Sequence, residues 1–457
     1  MHADASPAVP GAAVQSGAPL SAWIALAVFV AASLLAYVDR LILTLLAEPI
    51  RHALSLSDGQ LGIILGLGFA IFTTVLIMPL GWLADRVDTR LALVLCVLVW
   101  AAATAACGLT SSFGGMFLAT IGIAAGEAGL TPIVYSILPA LFPYRQRVTA
   151  NLIFYLASVV GGAGGLVLGG AAIGWLTDQH AHLPRVLQDW ETWRLALFAV
   201  ALPGPLLCVA ILCLRLRRIF DGPAASADPA SGPTLGSYLR EHFATLATFF
   251  VGIGVFVFAF QAAFSWFPVA LTRYYGVSPA STGLILGTVM AVGTLAGVVI
   301  SAVAMRRYVP RYGKGVAMRI CRIAMGLSLP VSLLFGLATT AWQIYVLVTI
   351  LMVAGAAAGS LMPNMVQDLS PPNLRARIAA IYMMVMITIS GMGGVAVGFV
   401  SDLLRAQPRA LLLAIVAVSA PAWLLAYGFF RSGERSFAAT ARAIVAPPDS
   451  ALPAKPL

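Results

Sequence analysis

Charged side chains are scarce in this sequence: they make up 10% of its 457 residues, against about 25% in a soluble domain. With 60% hydrophobic residues and a mean hydropathy of +0.95, the chain cannot be a water-soluble globule and belongs in a bilayer. Cysteine is sparse too. Cys96, Cys107, Cys208, Cys213 and Cys321 fall in or at the ends of apolar runs without metal-ligand spacing, so they read as small packing residues. His2, His52, His180, His182 and His242 lie at tails, loops or run ends, which leaves no third ligand for a metal and no Ser/His/Asp set. No catalytic residue and no cofactor are therefore expected, and an enzyme is disfavoured. Residues 1–20 contain no Lys or Arg, unlike the basic start of a signal peptide. The glycine-rich stretches have no strand or P-loop lysine beside them, so they do not bind phosphate.

What the sequence does contain is apolar runs of spanning length, each of about 20 residues, which can be laid along it twelve times. The fold class read from this is an all-α membrane protein: twelve transmembrane helices in two six-helix bundles. The domain reading is a disordered tail over 1–20, a first bundle over 21–214, a linker over 215–240, a second bundle over 241–431 and a disordered tail over 432–457. The linker is marked by Asp221-Gly222-Pro223, Asp228-Pro229 and Gly232-Pro233. Twenty of the 27 basic residues fall on the face that carries both termini, which predicts cytoplasmic termini. The same bias accounts for most of the net charge of +10, so nucleic acid is not an expected partner.

The halves look like copies. Ser57, Gly62 and Gly66 recur at the same spacing as Ser278, Gly283 and Gly287, and Gly161 with Gly164 matches Gly391 with Gly394. A finer pattern, Gly81 to Asp85, recurs as Gly174 to Asp178 and Gly398 to Asp402, at ends of spans on opposite faces. Inverted three-helix repeats within each half produce that arrangement. The glycines at 161–170 and 391–398 predict tight helix contacts that can slide, and Gly122 with Gly126 has small-xxx-small spacing.

Three charges lie deep inside spans: Asp39 and Arg40 in the first, Glu127 in the fourth. Each costs roughly 2.5–3.5 kcal/mol at a helix centre, so such residues usually line an interior or a water-filled path. Asp39 and Arg40 point about 100° apart and cannot face one another; Glu127 is the expected partner of Arg40. The trio carries a net charge of minus one, which a proton or a cationic substrate group would balance, and it is expected to form a proton-coupling and substrate cavity. A static salt-bridge cluster is the structural alternative. Thr120, Tyr155, Gln261, Asn364 and Tyr382 are further candidates for the cavity wall, although interhelical hydrogen bonds and packing explain them as well. Gly81, Asp85, Arg86 and Arg90 form a tight loop between the second and third spans and are expected to gate the cytoplasmic face.

Gly81 to Arg90 resembles the signature loop of the major facilitator superfamily, with Asp88 and Thr89 where a Gly and a basic residue are usual. Within it, Asp39-Arg40, Glu48-Pro49-Ile50, Leu56-Ser57-Asp58, Gly126-Glu127-Ala128-Gly129, Trp193-Arg194, Trp266 with Arg273, and Gln367-Asp368-Leu369 resemble Spinster-like transporters. The resemblance implies a proton-linked secondary carrier whose relatives move lysophospholipids or sphingoid phosphates. Thr120 stands where the family often has Arg, and Ala36 where it often has Asn, which weakens the expectation of a strongly anionic headgroup. The reading is a monomeric transporter in a bacterial-type cytoplasmic membrane. Its expected partners are an amphipathic, lipid-like organic substrate, protons and membrane lipids. A proton-coupled symporter of small organic anions is the alternative, and a channel or a non-transporting receptor suits the paired halves less well.

Overall fold

The computed structural model describes residues 18–84, 88–214, 234–312, 315–371 and 374–445. Twelve spans cross it: α1 Leu20–Leu45, α2 Asp58–Leu76, α3 Thr89–Leu109, α4 Phe113–Leu138, α5 Val160–His182, α6 Thr192–Cys213, α7 Phe243–Tyr275, α8 Pro279–Arg311, α9 Val316–Leu337, α10 Ala341–Asp368, α11 Arg377–Leu403 and α12 Ala410–Ala441. Helix is the conformation in which an apolar run satisfies its own backbone in hydrocarbon. Interruptions fall beside prolines, which lack the N–H of the regular ladder and suit a first helical turn. α7 breaks at Ser265-Trp266 ahead of Pro268, and α10 at Ser360-Leu361 ahead of Pro363. A short helix, Ala47–Ala53, carrying Pro49, follows α1.

One domain expectation needs correction. The tail expected from residue 432 is helical as far as Val445, because Phe437 and Ala441 are buried one turn apart on the same face. Phe437 packs 5.5 Å from Phe249, ring centroid to centroid, and Glu434 receives Arg319 at 2.9 Å and Arg322 at 2.6 Å. At the end of the linker region lies a short helix, Leu235–Glu241, capped by Thr234.

An even number of spans puts residues 18 and 445 on one face, here the terminal face; the loops after α1 and α7 lie on the far face. The halves meet closely near the far face through the two repeated glycine segments. A Cβ on Gly62 would lie 2.9 Å from the Gly394 carbonyl of α11, and one on Gly283 would lie 2.6 Å from the Leu166 carbonyl of α5. The repeat seen in the sequence is thus the pair of equivalent contacts α2–α11 and α8–α5. Within the second half, the indole of Trp266 in α7 donates to the same Gly394 carbonyl, 2.8 Å, in full burial.

Gly126 serves a contact inside the first half. Its Cβ would sit 2.6 Å from the Cys96 carbonyl and from Trp100 backbone and side-chain atoms of α3, so even alanine must push α3 off α4. Gly126→Ala is expected to cost about 1–3 kcal/mol, the usual range for overpacking, read as earlier thermal unfolding of the purified protein; an unchanged unfolding temperature would contradict this contact.

Candidate substrate cavity and far-face cluster

A cavity lies between the halves in two lobes, of about 240 Å³ and about 610 Å³, that share Tyr37, Arg40, Leu65, Phe69, Gln261 and Ser265. The larger lobe is walled by Glu127 and Tyr135 of α4 and by Met383 to Gly394 of α11. Given the direction of those helices, it reaches from mid-bundle towards the terminal face. The smaller lobe, with Thr44, Thr120 and Phe264, ends below the close contacts at the far face.

Helix geometry separates the two neighbouring charges of α1, since successive residues diverge by about 100°. Arg40 turns into the cavity, where its guanidinium carbon lies 3.8 Å from the centroid of the Phe69 ring. That is a cation–π arrangement. Asp39 turns the other way and is fully buried. It is on neither lobe's wall, which corrects the expectation that all three charges line one cavity. Trp100 and Thr104 of α3 turn their polar groups towards its carboxyl, although none of these buried atoms is in a hydrogen bond of regular geometry. The reason is packing: the face of α1 bearing Asp39 lies against α3.

Glu127 does line the cavity, with Oε1 buried and unpartnered. The expected ion pair with Arg40 is not formed; the arginine stacks on Phe69 instead, although its charge still acts on the carboxyl. Among the described residues these two are the only charged side chains on the wall of either lobe. A buried polar group lacking a partner is costly, so the Glu127 carboxyl is open to a ligand, and Arg40, without a carboxylate partner among the described residues, is exposed towards the cavity.

Of the other candidates, Gln261 lines both lobes and Thr120 the smaller one, its hydroxyl donating to the Phe117 carbonyl at 2.8 Å. Asn364 is exposed and Tyr382 is buried against Phe250; neither lines the cavity. Gly81 lies in the helix Gly68–Ala84, whereas the Tyr155 side chain and the loop residues Asp85 and Arg86 lie outside the described residues. Arg90 pairs with Asp88 at 3.4 Å and donates to the Leu214 carbonyl at 3.4 Å, contacts that stay within the first half.

The arrangement missed at the sequence level is a charged cluster at the far face. Arg273, near the end of α7, donates to Glu48 at 2.8 Å and to both oxygens of Asp58 at 2.7 and 2.8 Å. Arg51 donates to Glu48 at 2.8 Å, and the Ser401 hydroxyl donates to Asp58 at 2.6 Å. Asp402 of α11 accepts from the backbone N–H groups of Asp58 and Gly59 at 3.0 and 2.8 Å. The clues in the sequence were the repeated Gly-to-Asp pattern ending at Asp402 and the presence of Glu48, Asp58 and Arg273 among the motif residues, none of which showed that they meet.

Burial of Glu48 opposes its charge, but the hydrogen bonds and charges of Arg51 and Arg273 outweigh it and hold the carboxyl below its ordinary 4.5. Its ionised form is therefore favoured by folding. That stabilisation is complete above about 4.5 and fades as pH falls through the lower folded value. Glu48→Gln is expected to destabilise the protein by roughly 1–3 kcal/mol near neutrality, with a gap to the unsubstituted protein that is flat from pH 8 to 5 and closes below. Thermal unfolding against pH checks it, and a gap that widens on acidification would contradict this ion cluster.

The chain is 25% identical over 414 residues to an "MFS-type efflux pump" of Mycolicibacterium smegmatis, covering 88% of this chain and 90% of that protein. It is 25% identical over 320 residues to "Protein spinster homolog 3" of Homo sapiens, covering 64% of this chain and 57% of that one. Among solved structures, a bacterial homolog of the human lysosomal transporter Spinster, in an inward-facing and occupied conformation, superposes with a TM-score of 0.74 at 22% identity. That match covers 94% of this chain and all of the other, a likeness of fold. The profile of the Major Facilitator Superfamily matches residues 28–395, and the chain belongs to that superfamily of membrane transporters.

Proposed function

We propose that this protein is a secondary active transporter that moves an amphipathic organic anion by alternating access, coupled to protons through Glu127. The observation that carries the reading is the pair of unpaired opposite charges, Arg40 and Glu127, on the wall of one mid-bundle cavity. Arg40 supplies a fixed cation for an anionic group. Phe69, Phe260, Phe264, Met383 and Met386 supply apolar walls for the rest of the molecule. An arginine stacked on a ring presents its remaining N–H edge in a fixed plane, which suits a carboxylate or a phosphate-type group. Glu127, on the same cavity wall, takes a proton in one half of the cycle and releases it in the other. Asp39, sealed between α1 and α3, is kept as a second carboxyl near enough to Glu127 for their charges to interact.

In this reading the terminal face is cytoplasmic, on the excess of Arg there, the conformation is inward-open, and the protein works as a monomer in a bacterial-type cytoplasmic membrane. A domain-scale rocking between the halves then exposes the site to the other side. The test is flux in proteoliposomes loaded with one of two probes, a single-chain alkyl carboxylate or a small sugar acid. Saturable movement of the alkyl carboxylate supports the amphipathic reading, movement of the sugar acid alone supports the organic-anion symporter, and no carrier-dependent movement of either overturns both.

A further inference from the structure

Inside a membrane helix, threonine satisfies its hydroxyl most simply by donating it to the carbonyl one turn back. Thr74, Thr177, Thr288, Thr349 and Thr388 all do so, at 2.7–2.8 Å. Thr73 of α2 does not. Its side chain lines the larger lobe of the cavity, and its hydroxyl oxygen, shielded by the surrounding protein, has no hydrogen-bond partner among the described residues. Glu127 Oε1 is in the same condition on the wall of the same lobe. The helices that carry the two atoms are neighbours, since the rings of Phe72 in α2 and Phe117 in α4 meet edge to face at 6.5 Å. A buried hydroxyl without a partner is costly. Two such atoms on one wall therefore mark a place where a polar group of a ligand is gained.

We propose that Thr73, with Glu127, forms a second recognition point in the larger lobe, and that the molecule carried is an anionic amphiphile bearing a hydroxyl part-way along its chain. Spacing along α2 sets where that hydroxyl lies. Phe69, whose ring lies against the Arg40 guanidinium, precedes Thr73 by four residues, and positions i and i+4 share one face of a helix about 6 Å apart. Because α2 runs from the far face to the terminal face, Thr73 stands one turn nearer the terminal face than the anion site. An extended chain advances roughly 1.2 Å per bond, which puts the hydroxyl roughly five bonds from the carboxylate carbon. A hydroxyl suits the place better than an ion. It accepts from Thr73 and donates to a Glu127 oxygen, whereas Thr73 brings no charge to balance another. Leu130, Val257, Met383 and Ile387 on the wall of the same lobe pack against the methylenes on either side. In the smaller lobe the Thr120 hydroxyl is already committed to the Phe117 carbonyl, so the polar section of the chain is drawn to the larger one.

The inference rests on the proposed anion site at Arg40, and its test is separable from it. Titration calorimetry of the detergent-purified protein compares dodecanoate with the same acid bearing a hydroxyl on its sixth carbon. The hydroxy acid is expected to bind roughly three- to tenfold tighter, the gain from one well-placed hydrogen bond. Thr73→Val keeps the outline of the side chain and removes its hydroxyl, and is expected to bring the ratio of the two dissociation constants to one or below. Thr73→Ser is expected to keep the preference. Both acids are read in one protein, so a variant that has merely loosened weakens both and leaves their ratio standing. Equal binding of the two acids by the unsubstituted protein, or a preference that survives Thr73→Val, overturns the second recognition point while the anion site stands. Binding of neither acid overturns both.

Discussion

Arg40→Ala is expected to weaken binding of an anionic amphiphile by roughly 30-fold to several-thousandfold, the largest single effect on recognition in this protein. Removing one partner of a desolvated charge pair costs about 2–5 kcal/mol, and each 1.4 kcal/mol is tenfold in Kd. The full range applies here because, among the described residues, no second cation lines the cavity to take over the role. Arg40→Lys separates charge from shape. Lysine keeps the positive charge but loses the planar stack on Phe69, worth about 0.5–2 kcal/mol, so its loss falls well short of that of alanine. Titration calorimetry of the detergent-purified proteins with a single-chain alkyl carboxylate measures both. Alanine and unsubstituted protein binding alike would remove Arg40 from the site.

The architecture was legible because spanning length and apolar composition leave few alternatives to helix. The repeated Ser-to-Gly segments before α2 and α8 even marked where the halves touch. Asp39 and Arg40 stood out for the same reason, since charge in an apolar run is conspicuous. Which of them faces the cavity was not legible. The angle between them follows from helix geometry, but the choice of face depends on where Trp100 and Thr104 of α3 pack. Pairing Arg40 with Glu127 failed because a ring, Phe69, competes for the guanidinium, and its position is a tertiary fact. The far-face cluster was hidden for another reason: Arg273 and its carboxylates are more than two hundred residues apart, and each alone looks like an ordinary residue at the end of a span. The helix continuing to Val445 was readable in principle from Phe437 and Ala441, one turn apart. The polar residues around them masked that signal.

The second large effect is on coupling. Glu127→Gln keeps the shape of the side chain and removes its ability to gain and lose a proton, while leaving Arg40 and the apolar walls in place. Substrate exchange across the membrane should survive, because exchange needs only binding and rocking of the halves. Accumulation driven by a proton gradient should not. One pH unit corresponds to 1.36 kcal/mol per proton, so a carrier taking one proton per substrate can sustain about a tenfold concentration ratio across such a gradient. The decisive measurement is that ratio, read at steady state in proteoliposomes holding a one-unit pH gradient, for the unsubstituted protein and for Glu127→Gln. A ratio approaching ten that falls to one in the variant, with exchange intact, is the predicted result. An equal ratio in both proteins would show that Glu127 does not carry the coupled proton.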